Sequence, residues 1–384
     1  MIDILINRFD RKLMIYLGLL TVVGTIMLYS ASWYESFSNS NGKTDMLFLQ
    51  AHLKRLFIGM FFLFGFLFFD YRRLKDIAPY LFIIAILLLI ITKSFYLIKG
   101  FSWYKPARWL SIGPFSFQTS DLARMAMIIY MAYYVDKKRN LIKDFQTGLM
   151  PALILIVIVM SLIIIQPDYS TAVMIGLTGV LILFIGGTKI SHLSFATAGS
   201  LLIGIPILLS REYRKMRVLS FLGIIDTPDI GYQANQSLIS LGNGGLLGVG
   251  LGNSIEKNHF LPTPHTDFIF AIIGEELGFV FGTVPVITLF LLIFIRGLKI
   301  AKKCTDPFGV LLAVGISFNF ILYAFINAGV VTGLLPVTGL PMPMVSYGGS
   351  GMIINLSLMG ILLNISQSRR SVGGQRGWSP ILNG

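Results

Sequence analysis

The sequence predicts an all-α polytopic membrane protein. It has about ten transmembrane helices, both termini inside, and a large extracytoplasmic loop between helices 7 and 8. Three observations predict this class. The 384 residues are 55% hydrophobic and 13% charged, with a mean hydropathy of +0.77, against about 25% charged residues in a soluble domain. The charges are clustered: Leu13–Tyr34 and Pro307–Ser368 carry none. A span needs roughly 20 mostly apolar residues, so the second stretch holds two helices and a turn. Lys and Arg also gather in alternate connections, the bias that orients membrane helices. Cytosolic enzymes and secreted disulfide scaffolds are excluded as primary readings. The net charge of +13 is read as orientation by inside Lys and Arg, and no nucleic-acid partner is expected.

The helices follow in order. The first covers 13–33; Arg8, Arg11 and Lys12 precede it in a polar leader, so this helix is its own insertion signal. Helices 56–70 and 77–96 are joined on the inside by Arg72, Arg73 and Lys75. A helix over 119–136 is expected although Asp121 and Arg124 interrupt its first turns. After Lys137, Lys138, Arg139 and Lys143 comes 147–165, then 170–188 and 190–210 with Lys189 between them. The eighth, 267–296, runs into Arg296, Lys299, Lys302 and Lys303. The last two, 307–331 and 350–368, divide the charge-free stretch. Residues 1–368 thus form a single transmembrane domain. The tail 369–384, with Arg369, Arg370 and Arg376, is cytoplasmic and expected to be disordered.

Basic residues on the outer side have no topological use and call for a ligand. They concentrate in Lys93–Arg108 and Arg211–Lys257. A multiply anionic substrate such as a lipid pyrophosphate would account for them, and so would contact with anionic headgroups. The outer loop, about 211–266, is too long for a plain connection and is expected to be functional or partly folded. Its run from Gly242 to Gly252 permits close backbone approach but lacks the Gly-Lys-Ser/Thr of a phosphate-binding loop. The single cysteine, Cys304, excludes an internal disulfide framework, and no Cys/His cluster has zinc spacing.

Few acids lie in or beside the spans, and a carboxylate there needs a partner or a role. Asp121 has Arg124 three residues on, on one helical face. Asp168 follows Gln166-Pro167 at the mouth of a span and is read as a cap. Asp267 sits where the Pro-punctuated loop Leu261–Phe270 enters a long apolar helix. Capping by Thr266 or Asp267 is one reading. The other is a general base beside His265 at the outer membrane boundary. Glu275 and Glu276 lie roughly 12–13 Å further along the helix, beyond the 5–9.5 Å or so of paired glycosidase carboxylates. They are read as packing groups.

These residues form an ordered set. Tyr29-Ser30-Ala31-Ser32 ends the first helix. Arg108-Trp109-Leu110 precedes Phe117-Gln118-Thr119-Ser120-Asp121-Leu122-Ala123-Arg124. Then come Gln166-Pro167-Asp168, Gly231-Tyr232-Gln233, His265-Thr266-Asp267-Phe268-Ile269-Phe270 with Gly274-Glu275-Glu276, and Gly333–Pro336 through Ser346–Ser350. Over nearly the whole chain the set resembles the SEDS family of bacterial cell-wall proteins (shape, elongation, division and sporulation). Gly250–Ser254, Lys257 and Leu261-Pro262 look like its division branch; Val337-Thr338-Gly339 leans toward the elongation branch. The chain departs from the pattern at Thr119 (usually Pro), Asp121 (Glu), Arg124 (Lys) and Thr263 (a common Glu).

The resemblance implies a peptidoglycan glycosyltransferase that polymerises lipid II at the outer face of the bacterial cytoplasmic membrane, at the division septum. It implies a class B penicillin-binding protein, a transpeptidase, as partner, along with other divisome proteins. Asp267 would be the catalytic residue. Arg108, Trp109, Gln118, Lys257 and His265 would line the substrate cavity, and Asp121 with Arg124 would form a supporting ion pair. From the residues themselves, Arg108, Lys257, Arg214 and Arg217 are candidates to neutralise a departing pyrophosphate. A divalent cation, Mg or Mn, could share that task, but the sequence shows no dedicated cage. Two alternatives stay open: a flippase for the same lipid, which needs polar access to both leaflets, and a scaffold for which Asp267 is dispensable.

Overall fold

The computed structural model describes residues 9–98, 108–112, 115–225, 228–258 and 260–368. Arg8, Lys99, Lys105 and the tail 369–384 lie outside the described residues. The chain enters the bundle at α1, Arg11–Asn39, where the Asp10 carboxylate accepts from the Leu13 amide at 3.0 Å and pairs with Arg296. Next come α2, Leu47–Phe68, and α3, Leu74–Ile98. A hairpin of β1, Trp109–Ile112, and β2, Phe115–Gln118, leads into α4, Thr119–Lys137. A wide π turn at Phe145–Leu149 opens α5, Met150–Ile165, followed by α6, Tyr169–Ile185, and α7, Ile190–Leu209.

The outer segment then folds into α8, Glu212–Phe221, and α9, Pro228–Gly244. The eighth span is broken into α10, Ile269–Gly278, a π turn at Phe279–Thr283, and α11, Val284–Lys303. Finally, α12, Pro307–Val331, and α13, Ser350–Ile365, complete ten spans. Among the described residues, seven spans are both long and apolar enough to cross a membrane, and α6 and α13 are apolar but shorter. The remaining one, α4, carries Asp121, Arg124, Asp136 and Lys137.

One expected boundary needs correcting, and two outer segments gain detail. Helix α2 begins at Leu47 rather than 56, because helix geometry continues through Lys54 and Arg55, whose charges end the hydropathy signal early. The Trp109–Gln118 stretch is an antiparallel hairpin with Trp109 opposite Gln118. The long outer loop is partly folded, as its length predicts, into two helices and a tightly bonded return.

The bundle is centred on α12, where 72% of the most apolar window is buried; for α7 the figure is 6%. Small residues let helices meet backbone to backbone. A Cβ at Gly360 would strike the Leu63 backbone, and one at Gly297 would strike Ser317. At the cytoplasmic end Lys75 bridges Asp136 at 2.8 Å and Asp306 at 3.1 Å, tying α3 to α4 and α12.

Candidate active site

The outer halves of α2, α4, α6 and α13, the hairpin, the Asp267 turn and the loop Gly339–Gly349 enclose a cavity of about 680 Å³. Its charged lining is Arg55, Arg108, Asp121, Arg124, Asp168 and Asp267. Trp109 and Gln118 join them because they face each other across the hairpin. Gly349 has no side chain to collide with the Trp109 ring, which would lie 2.7 Å from an added Cβ.

Each polar wall is cross-braced. Gln118 donates to Asp168 Oδ2 at 3.0 Å, and its backbone amide donates to the Ser350 hydroxyl at 2.9 Å. Ser350 in turn donates to Asp121 Oδ2 at 2.7 Å. Asp121 and Arg124 stand 3.6 Å apart. The Arg124 guanidinium also donates to Asn319 and Asn355 and lies 4.6 Å over the Tyr323 ring. It is 2% exposed, so these partners compensate the burial of its charge. Asp168 caps α6 by accepting from the Thr171 amide, and its carboxylate lies 3.8 Å from Arg108.

Asp267 is held differently. The N-cap of α10 is Phe268, without a side-chain bond, so neither Thr266 nor Asp267 caps that helix. Asn327 grips the turn by donating to the Asp267 carbonyl at 2.7 Å and to Leu340 at 2.8 Å. The Asp267 carboxylate accepts from the Thr266 hydroxyl at 2.7 Å through Oδ1, while Oδ2 points toward Gly339. Its lone pairs toward the cavity are therefore left for a ligand.

Four expected site residues are placed elsewhere. Lys257 is buried under the glycine-rich return, donating to Glu276 at 2.6 Å, Ser30 at 3.1 Å and the Gly252 carbonyl at 2.7 Å. Its charge is already matched, and it does not line the cavity. His265 is 3% exposed, with Nδ1 2.8 Å from Glu35 Oε2 and its ring against Phe48 and Tyr347. Its carbonyl accepts from the Tyr347 amide at 2.8 Å, so it braces the Asp267 turn from behind. Arg217 donates to the Val337 carbonyl at 3.0 Å, and Arg214 lies over the Tyr169 ring. Both hold α8 at the rim. Burial and the nearby Arg211 also lower the Arg214 guanidinium from its ordinary range.

Arg55 is the functional candidate that sequence reasoning passed over. It lies 4.8 Å over the Tyr347 ring, lines the cavity, and has a buried Nη1 with no hydrogen-bond partner among the described residues. The available signal was a cation inside an otherwise apolar helix.

A family model described as a cell cycle protein, FtsW/RodA/SpoVE, matches residues 10–371. The chain belongs to the FtsW/RodA/SpoVE family. Curated relatives share the whole length. A Geobacter metallireducens protein named probable peptidoglycan glycosyltransferase FtsW is 36% identical over 366 residues, covering 94% of this chain and 95% of its own. Stage V sporulation protein E of Bacillus subtilis is 38% identical over 369 residues, covering 94% and 98%. Among solved structures, a chain of a peptidoglycan synthase complex superposes with a TM-score of 0.77 at 24% identity, covering 94% and 98%. The rod shape determining protein RodA of Thermus thermophilus gives 0.66 at 23%, covering 95% and 99%. At those identities the likeness is one of fold, and it extends the FtsW/RodA/SpoVE assignment to a multi-pass membrane architecture.

Proposed function

We propose that this chain is a peptidoglycan glycosyltransferase that polymerises lipid II at the outer face of the bacterial cytoplasmic membrane. A class B penicillin-binding protein cross-links the product. The observation that carries this reading is the Asp267 carboxylate, gripped through its backbone and left open toward a cavity that also holds Arg55 and Arg108. The names of the full-length relatives support the reaction class.

In this reading Asp267 takes the proton from the acceptor sugar's 4-hydroxyl as that oxygen attacks the donor's anomeric carbon. The bond from that carbon to the pyrophosphate breaks, and undecaprenyl pyrophosphate leaves in one inverting displacement. Arg108 and Arg55 stabilise the departing charge in place of Lys257, whose ammonium is matched by Glu276. Trp109 offers its ring to a sugar face. No group of three or more His, Cys, Asp or Glu able to hold a metal converges among the described residues. A divalent cation here would be held by one or two of the cavity's carboxylates together with the pyrophosphate, an arrangement Mg²⁺ accepts. The FtsW-named relatives favour the septum as the site of action.

The test is polymerisation of labelled lipid II by the purified protein with its class B partner, comparing wild type with Asp267→Asn. Glycan strands from wild type alone support both the reaction and the base. Strands from both remove Asp267 from catalysis. If neither polymerises and wild type moves lipid II across vesicles, the flippase reading replaces this one.

A further inference from the structure

The turn that carries Asp267 is strained at Thr263. Its φ of 47° lies in the left-handed region, where a β-branched residue is an outlier. It also precedes Pro264, and a residue in that place is pushed toward extended backbone. Two bonds hold it: the Thr266 amide donates to the Thr263 carbonyl at 3.1 Å, and the Thr266 hydroxyl reaches the same oxygen at 2.8 Å. Strain kept in this way beside a cavity points to function. Its effect here is to aim the Thr263 carbonyl at the Thr266 hydroxyl. Thr263, Thr266 and Asp267 all line the cavity.

That hydroxyl has two acceptors and one proton. Its oxygen lies 2.8 Å from the Thr263 carbonyl and 2.7 Å from Asp267 Oδ1, and a hydroxyl carries a single hydrogen to donate. The other carboxylates of the cavity are held by donors without that choice. Ser350 donates to Asp121 Oδ2 at 2.7 Å while its oxygen accepts from the Gln118 amide. Asp168 accepts from the Thr171 backbone amide, which cannot turn. The backbone of Asp267 is gripped by Asn327, so the orientation of its carboxylate is left to Thr266.

We propose that Thr266 is a positioning residue for the polymerisation, its hydroxyl turning from Asp267 Oδ1 to the Thr263 carbonyl as Asp267 takes the acceptor sugar's proton. The inference rests on the general-base reading above. While the carboxylate is ionised, its charge makes Oδ1 the better acceptor, and the bond keeps Oδ2 on the Gly339 side of the cavity. The sugar's O–H bond then breaks and its proton moves to Oδ2. Oδ1 loses its charge and becomes a poorer acceptor than the Thr263 carbonyl, so the hydroxyl turns; the Thr266 proton itself stays on Thr266. A donor fixed on the carboxylate would favour the ionised form and resist the proton. One with a second acceptor orients the base and then releases it.

The test is polymerisation of labelled lipid II by the full chain with its class B partner. Thr266→Val, which keeps the shape and loses the hydroxyl, should lower kcat about tenfold to hundredfold, the worth of a hydrogen bond to a charged group, with KM unchanged. Thr266→Ala should repeat the loss without the valine's bulk, and Thr266→Ser should restore most of it. In an Asp267→Asn background Thr266→Val should lower the residual rate no further. In mixtures of light and heavy water the single-turnover rate of wild type should fall along a curve, because two protons change their bonding, and that of Thr266→Val along a straight line. Thermal scans confirm that the variants fold. Undiminished kcat in folded Thr266→Val or Thr266→Ala, no recovery in Thr266→Ser, a further loss in the Asp267→Asn background, or a straight line for wild type each overturns the proposal. Full turnover in Asp267→Asn removes the base itself, and this inference with it.

Discussion

Asp267 and the pair Glu275–Glu276 sit on one span, within a few turns, yet they are built for opposite ends. Glu275 is fully buried and accepts from the hydroxyls of Ser240 and Ser254 at 2.8 and 2.6 Å and from the Ile255 and Glu256 amides. Glu276 accepts from Ser30 at 2.7 Å and pairs with Lys257. Asp267 has one side-chain donor, Thr266, and an open cavity. A carboxylate whose lone pairs are all occupied fastens structure; one left open on a braced turn is available to do chemistry. Charge alone does not separate the two cases, and the number of donors does.

The largest expected effect follows from the open side of this contrast. Asp267→Asn should lower lipid II polymerisation about 10²–10⁴-fold, the usual contribution of a general base, while the thermal unfolding curve stays where it is. Equal losses of fold and rate would erase the distinction between the two regions. On the fastened side, Glu276→Gln strands the Lys257 ammonium in a buried site and should cost about 3–5 kcal/mol of stability. Lys257→Met together with Glu276→Gln should recover most of that in a denaturation series, since the burial of unmatched charge is then removed.

A smaller effect is expected at the cavity wall. Gly349→Ala pushes against Trp109 and should cost about 1–3 kcal/mol of folding stability as overpacking, read in a denaturation series, and the displaced ring should raise KM for lipid II with a smaller change in kcat. The smallest sharpens the clamp. Glu256 is pushed up in pKa by burial first and by the adjacent Glu275 second. A carboxyl raised in the folded state favours folding while protonated, and that advantage is lost as pH rises through its folded value. Glu256→Gln should therefore raise the unfolding temperature slightly at neutral pH, with the gain disappearing below the ordinary glutamate value of 4.5. An unchanged pH profile would mean the carboxyl is better solvated than its burial indicates.

The ten spans were legible because apolar length is a local property, and Arg108, Trp109, Gln118, Asp121, Arg124 and Asp267 were legible as motif residues. What escaped depended on partners distant in sequence. Lys257 reads as a ligand cation until Glu276 and Ser30 arrive from two other spans. Arg55 was set outside a helix because its charge cut the hydropathy window short. The hairpin was readable in principle, since Gly113-Pro114 divides two short β-branched and aromatic runs. The inward face of His265 had no local signal, because Glu35 and Tyr347 come from opposite ends of the chain.

The break in the eighth span bears on how the protein is assembled. Helix α10 ends at Gly278, and its freed carbonyls at Glu275 and Glu276 accept from the Val249 and Gly250 amides. Phe279 and Val280 then donate to the Gly245 and Leu246 carbonyls. In hydrocarbon such groups cannot go unpaired, so this span cannot mature on its own. The translocated segment before it must already be on the far side and come back to complete it. Ser30 on the first helix closes the same knot through Glu276, across 246 residues. The eighth span is therefore completed by backbone bonds from the outer segment and by a side-chain bond from the first helix, so its final packing depends on both.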